Sequence, residues 1–162
     1  MISLIVAHDE QFCIGNDGWM PWHLKEDLKQ FKAKTINNSI VMGRTTFEAM
    51  GKPLPKRFTY VLSRQEKTYP FENVEVVHDL KALLKKYQQA NEKLIICGGA
   101  QIYTAALPYV EEMWISLVEG SHEGDTYFPH YDLNEFVTVS KEQFDGFILI
   151  HYQRKEGTLC DL

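Results

Sequence analysis

A carboxylate stands where the surrounding pattern asks for a hydrocarbon. In GWMPWHLKEDLKQF (18–31), Leu24, Leu28 and Phe31 recur at i, i+4 and i+7, the spacing of one buried helix face. Asp27 falls three residues after Leu24 and four before Phe31, so it shares that apolar face. Two readings are open. An acid in the first helical turn complements the helix dipole, although Glu26 already does so from the polar face. Alternatively, the carboxylate forms the floor of a mostly apolar pocket. Burial there would raise its pKa and ready it to bind or protonate a cationic nitrogen heterocycle.

Two segments share a strand–glycine–helix layout: SIVM followed by Gly43, Arg44, Thr45 and Thr46, and LIIC followed by Gly98, Gly99, Ala100 and Gln101. Such turns let a phosphate approach backbone N–H groups at a helix start. Two of them could clasp the ends of a dinucleotide at the carboxyl edge of a sheet. The alternative is that each glycine only makes a tight turn, since Gly-Gly is not the GxGxxG fingerprint. Arg44 puts a cation at a helix N-terminus, a conflict that a bound anion would remove. Ser63-Arg64 ends another strand and is a second candidate anion site; both arginines could equally be surface charges. Trp19 and Trp22 fit packing more readily than cofactor contact. The six histidines are scattered without an i, i+4 pair, so no metal site is expected. Ser63 and Ser116 lie in no GxSxG elbow, and Cys13 has no paired histidine.

The elements that must position these groups can be read from periodicity. ISLIVA (2–7) is a continuous apolar run, as in a strand buried on both faces. Residues 9–23 read as a long irregular loop, rich enough in apolar side chains that it should lie over something. A helix follows at about 24–35, then a strand (39–43), a short helix (44–50), a proline-rich loop (51–57) and strands at 58–63 and 74–77. Residues 79–89 form an amphipathic helix capped by Asp79, with Leu80, Leu83, Leu84 and Tyr87 as its stripe. Strand 94–97, a helix (100–107) stopped before Pro108 and strand 113–119 come next. The tail reads as two strands joined across Asp145-Gly146. Alternating strands and helices closed by a hairpin argue for an α/β fold with an added antiparallel strand.

The chain has 162 residues, which suits a single domain spanning 1–162. A net charge of −5 argues against a nucleic-acid or anionic-membrane partner. Three cysteines without metal-like spacing fit a reducing cytoplasm. No run approaches the roughly 20 apolar residues of a membrane span. A monomer is expected, because no exposed apolar helix face stands out.

Taken together, the motifs resemble those of bacterial dihydrofolate reductases. They are Ile14-Gly15, Met20-Pro21-Trp22 with Leu24 and Asp27-Leu28, Phe31 with Thr35, Met42 to Thr46, Pro53-Leu54-Pro55 with Arg57, Gly98-Gly99 with Ile102-Tyr103, and Gly124-Asp125-Thr126 with Phe128-Pro129. They keep the family's order and spacing from residue 1 to about 153. The resemblance implies a mixed, mostly parallel central sheet of about eight strands with an antiparallel C-terminal strand and helices on both faces. It implies NADPH-dependent reduction of 7,8-dihydrofolate to tetrahydrofolate, with hydride passing to pterin C6 and a proton to N5. Trimethoprim-like diaminopyrimidine antifolates would be further ligands.

Roles follow by position. Asp27 would bind the pterin, supported by Ser116, with Met20 and Trp22 completing the reaction centre. Ile5, Val6, Ala7, Leu28, Phe31, Met50 and Leu54 would line the pterin and benzoyl pocket, and Arg57 would fork onto the glutamate α-carboxylate. For NADPH, the resemblance implies Ala7; Ile14, Gly15, Asn16, Gly18, Trp19 and Met20 of a mobile lid; Gly43, Arg44, Thr45 and Thr46; Leu62, Ser63 and Arg64; and Cys97, Gly98, Gly99, Ala100, Gln101, Ile102 and Tyr103. Arg44, Ser63 and Arg64 would hold the 2′-phosphate. The chain departs from the family at Lys25, where proline is common, at Cys97, where a larger apolar residue is usual, and at the tight Asp145-Gly146 turn. The competing readings are an NADPH reductase of another pterin or pyrimidine and a catalytically silent binding protein; Arg57, Asp27 and Met20 argue against them.

Overall fold

The computed structural model describes all of residues 1–162. Eight strands form one sheet: β1 (Ile2–Asp9), β3 (Ser39–Gly43), β4 (Phe58–Leu62), β5 (Val74–Val77), β6 (Leu94–Ile96), β7 (Glu112–Val118), β9 (Phe136–Phe144) and β10 (Phe147–Arg154). Their order is β5-β4-β3-β6-β1-β7-β10-β9, parallel from β5 to β7, with β10 antiparallel to both neighbours. The expected mixed sheet and C-terminal hairpin are both present, and Gly146 takes the positive φ of 88° at the hairpin turn.

Four helices connect the strands: α1 (Lys25–Thr35), α2 (Arg44–Met50), α3 (Leu80–Gln88) and α4 (Ala100–Ala106). From β1 the chain steps toward one edge through α1 and α2, then returns through α3 and α4. Right-handed crossovers made in opposite directions put the two helix pairs on opposite faces. Side-chain alternation shows this. Ile2, Leu4, Val41, Leu94, Ile96, Met113 and Ile115 pack with Leu83, Leu84 and Tyr87 of α3 and Ile102, Tyr103 and Ala106 of α4. Ile5, Ile40, Met42 and Ile95 point the other way, toward Phe47 of α2, with Phe31 of α1 against them.

Three expectations change. Residues 9–23 are not wholly irregular: β2 (Cys13–Gly15) pairs antiparallel with β8 (Thr126–Tyr127). The chain does not stop helically before Pro108; a 3₁₀ turn carries it through Leu107–Tyr109, with proline where its missing N–H costs nothing. The largest correction concerns α1. Its buried residues are Asp27 and Thr35, whereas Leu28 is 45% exposed. The apolar stripe therefore packs only partly into a core, through Leu24 and Phe31, and its middle residue opens to a cleft.

Candidate functional site

The cleft is built on the carboxyl ends of the parallel strands. β3 and β6 are neighbours, yet α2 leaves β3 toward one face and α4 leaves β6 toward the other. Such a reversal opens a crevice at the sheet edge. The two glycine turns meet there: Gly43 N–H donates to Gly98 O at 3.0 Å, and Cys97 N–H to Val41 O at 3.0 Å. Neither helix start is capped by a side chain, which leaves backbone N–H groups free to meet an anion. The turns also depend on glycine. A Cβ on Gly43 would press on Ile102 Cδ1 at 3.3 Å, and Gly98 has a φ of +116° with the Tyr103 ring beside it. The Gly98-Gly99 peptide is cis.

On the α1 side of the sheet, Asp27 is buried and accepts one hydrogen bond, from Ser116 Oγ at 2.6 Å. Burial raises its pKa above the ordinary carboxylate value, and the Ser116 bond only partly offsets that. Ser116 is set by register: it lies between Ala7 of β1 and Leu149 of β10. Ile5 and Ala7 face this side. Val6 does not; its side chain packs in the opposite core with Ile2 and Leu4, because strand residues alternate. Phe31 and Leu54 pack nearby against the Ile5 and Met42 cluster, and Met50 and Leu28 stay partly exposed at the rim.

At the far end of α1, Arg57 is only 5% exposed. Its Nε donates to Pro55 O at 3.0 Å and its Nη1 to Thr35 Oγ1 at 3.1 Å. Thr35 in turn donates to Phe31 O at 2.7 Å, so α1 itself aims the guanidinium. Burial lowers the Arg57 pKa, and no carboxylate of the chain sits beside it. The sequence motif alone assigns Thr35 no role; its spacing of four residues from Phe31, on the same helix face, is the signal that points to it.

The remaining residues fall into two groups. Ser63 is buried and its Oγ accepts from Gln65 N–H at 3.0 Å, while Nδ1 of His78 donates to Ser63 O at 2.7 Å. Arg64 is exposed beside it, after Leu62 at the end of β4. Arg44 makes only long contacts, 3.4 Å to Gln65 Oε1 and 3.9 Å to Glu48 Oε2. Thr46 approaches Gly99, and Thr45, Ala100 and Gln101 lie in the first turns of α2 and α4. Tyr103 is buried and its hydroxyl donates to Ile5 O at 2.8 Å, tying α4 to β1. Burial pushes the Cys97 thiol up to about 12, so it is a poor nucleophile.

The second group is the segment over the cleft. Ile14 and Gly15 are in β2, and Asn16 and Trp19 form a tight turn through Asp17 (φ 51°) and Gly18 (φ 82°). Asp125 pins this turn: its Oδ2 accepts from Asp17 N–H at 3.1 Å and its own N–H donates to Gly15 O at 3.0 Å. Trp19 is 74% and Met20 47% exposed. Trp22 turns inward, and its Nε1 is buried without a hydrogen-bond partner.

A family model described as dihydrofolate reductase matches residues 1–152. The chain belongs to the dihydrofolate reductase family. It is 43% identical to dihydrofolate reductase type 3 of Salmonella typhimurium over 131 residues, covering 81% of this chain and 80% of that protein. It is 41% identical to the dihydrofolate reductase of Bacillus subtilis over 143 residues, covering 88% and 84%. Among solved structures it is similar to the dihydrofolate reductase from Enterococcus faecalis complexed with NADP(H) and RAB-propyl. That match has a TM-score of 0.86 and 35% identity, and covers 96% of this chain and 97% of that one.

Proposed function

We propose that this chain catalyses NADPH-dependent reduction of 7,8-dihydrofolate to 5,6,7,8-tetrahydrofolate through the cleft between α1 and the carboxyl edge of the sheet. The observation that carries the residue assignment is a pair of buried, under-partnered charges along one helix. Asp27 has a single neutral donor, and Arg57 has two neutral acceptors and no anion. Buried charges left this way are costly unless a ligand completes them. A molecule with paired N–H donors at one end and a carboxylate at the other fits both, with apolar contacts from Ile5, Ala7, Leu28, Phe31, Met50 and Leu54 between. That is the outline of a pterin carrying a benzoylglutamate tail. A diaminopyrimidine antifolate would use the Asp27 end alone.

The opposite side of the cleft suits NADPH. Uncapped helix starts at Gly43 and Gly99 offer N–H groups to the pyrophosphate, and Arg44, Ser63 and Arg64 offer donors to the 2′-phosphate. Ala7, Ile14 to Met20 and Cys97 to Tyr103 border the nicotinamide end. When bound, NADPH supplies the hydride. The chain's own part is to align the pterin on Asp27, exclude bulk water and favour a proton at N5. Asp27, with a raised pKa, stabilises the protonated heterocycle through charge-assisted bonds. The buried Trp22 Nε1 is a donor for a water that could relay the proton.

The three free cysteines suit a reducing compartment, no helix is long and apolar enough to cross a membrane, and we take the working unit as a monomer. Mixing the protein with NADPH and dihydrofolate and following the nicotinamide absorbance tests the proposal. Oxidation of NADPH dependent on dihydrofolate supports it. Turnover of a tail-less pterin in preference to dihydrofolate overturns the reading of Arg57, and no turnover overturns the whole.

A further inference from the structure

The indole N–H of Trp22 has no hydrogen-bond partner within the chain, so packing sets where the ring lies. It packs, as Ala7 does, against the cluster of Val118, Phe147 and Leu149, and Leu149 is the register partner of Ser116, which holds Asp27. Its other neighbour is His122, from the loop between β7 and β8, whose ring meets the indole edge-on with centroids 5.1 Å apart and an angle of 68°.

His122 is itself held firmly. Its backbone N–H and its Nδ1 both donate to Oδ2 of Asp9, at 2.7 and 3.1 Å. Asp9, the last residue of β1, is fully buried. Its Oδ1 accepts from Gln11 and Cys13 N–H, each at 2.9 Å. With four donors on two oxygens the carboxylate cannot swivel, so it fixes the imidazole that it binds. Asp9 and His122 lie outside the motifs that resemble the family's, and the backbone donors alone would satisfy three of the four bonds. The side-chain bond thus adds something the loop anchor does not require: an oriented ring.

We propose that His122 is a positioning residue for Trp22: Asp9 fixes the imidazole, the imidazole fixes the indole, and the indole is thereby held on the sheet face of Leu149 and Ser116, the face on which Ser116 holds Asp27. This rests on the reading that Trp22 borders the reaction cleft. The ring contact and the hydrogen bond can be separated. In His122→Asn the amide Nδ2 can still donate to Asp9, but the ring is gone. In His122→Phe a ring remains, but its donor is lost.

The experiment uses the full chain labelled with 5-fluorotryptophan at Trp19, Trp22 and Trp114, the Trp22 fluorine resonance being assigned with Trp22→Phe. Thermal midpoints, NADPH affinity and kcat and KM for dihydrofolate are measured on both His122 variants. The expected pattern is crossed. His122→Asn keeps its midpoint and NADPH affinity but loses roughly tenfold in kcat, a misplacement effect, and its Trp22 resonance alone moves. His122→Phe is less stable, yet its kcat exceeds that of the asparagine variant. The proposal fails if kcat follows thermal midpoint across the variants, or if the Trp22 resonance is unmoved in His122→Asn. The resonance needs no turnover, so a wild-type chain inactive on dihydrofolate would overturn the functional reading while the spectrum still decides the positioning.

Discussion

Asp9 and Asp27 are both buried aspartates on the side of the cleft, and they are built in opposite ways. Asp9 receives four N–H donors, and although burial opposes its ionisation, the bonds from Cys13, His122 and Gln11 outweigh that and hold its pKa below the ordinary value. Asp27 receives one hydroxyl, and burial wins, raising its pKa. The first carboxylate is completed by the fold and ties the segment after β1 to the β7–β8 loop. The second has one donor and, in the function proposed, a ligand completes it. The same contrast separates two arginines. Arg154 donates to Leu107 O at 2.7 Å and Val110 O at 2.6 Å and lies 3.4 Å from Glu135, whereas Arg57 meets no acid. Burial alone therefore does not set Asp27 and Arg57 apart from Asp9 and Arg154; burial with partners missing does, and the roles proposed for the first two rest on it.

The strongest challenge to the contrast is Asp27→Asn. Loss of the charge should cut turnover at neutral pH by about 10²–10⁴-fold, the range of a general acid–base contribution. Part of it should return as pH falls and solvent supplies protonated substrate. Stability should move the other way. A carboxyl whose folded pKa is raised contributes stability that is present below its unfolded value and lost as pH rises through the folded one. The asparagine variant escapes that loss and should unfold no earlier than wild type at pH 7. A pH–rate profile and thermal melts check both. Near wild-type turnover at pH 7 would return Asp27 to a mere helix-dipole partner.

Asp9→Asn should invert this result. The amide cannot accept from all four donors and presents its own N–H to them, so we expect a loss of about 3 kcal/mol in stability. A folded pKa below the unfolded value gives stability present above the unfolded pKa of about 4 and lost as pH falls through the folded one. The wild type should therefore lose this contribution in acid, and the asparagine variant should have little left to lose there. Denaturant titrations at pH 7 and in acid measure the difference. Equal stability of variant and wild type at pH 7 would break the comparison.

Arg57→Leu against Arg154→Leu applies the same test to cations. The first should raise KM for dihydrofolate about 10–100-fold, as one or two charge-assisted bonds are lost, and should leave a pterin without the glutamate indifferent. The second should cost about 2 kcal/mol of stability by orphaning backbone carbonyls and leave KM unchanged. Steady-state kinetics on both substrates, beside denaturation curves, would expose any exchange of roles.

These pairs also show what the sequence could carry. Strand and helix order was legible because it is written in local periodicity, and Asp27 because a carboxylate interrupts an apolar stripe. The expectation that Leu28 is buried failed because the same stripe serves a core and a cleft equally well. The β2–β8 pair was illegible: strands of three and two residues have no period to read. Asp9 left only a faint signal, an aspartate two residues before Gln11 where a side chain can bond its own loop. Its partner His122 is 113 residues away, and nothing local links them. The glycine turns were readable as a layout, but their side-by-side placement came only from the sheet order that puts β6 between β3 and β1.

The smallest expected effect lies at the open end of the cleft. Arg64 is exposed and pairs with no acid of the chain, but water already solvates it, so its missing partner costs little. It should therefore contribute less than the buried Arg57, although the proposed function gives each of them an anion. If it meets the 2′-phosphate, Arg64→Gln should weaken NADPH binding by about tenfold, a single charged hydrogen bond at the low end of its range, and leave NADH binding unaltered. The effect should shrink as salt is added, because an exposed pair is screened within about 10 Å at 0.1 M, whereas the Arg57 effect should hold. Fluorescence titration with both cofactors at low and high salt measures this. Equal loss for NADPH and NADH would remove Arg64 from the phosphate site. A loss for NADPH that salt does not diminish would mean that the loop closes over the charge on binding, and that the distinction between buried and exposed cations drawn here fails at this position.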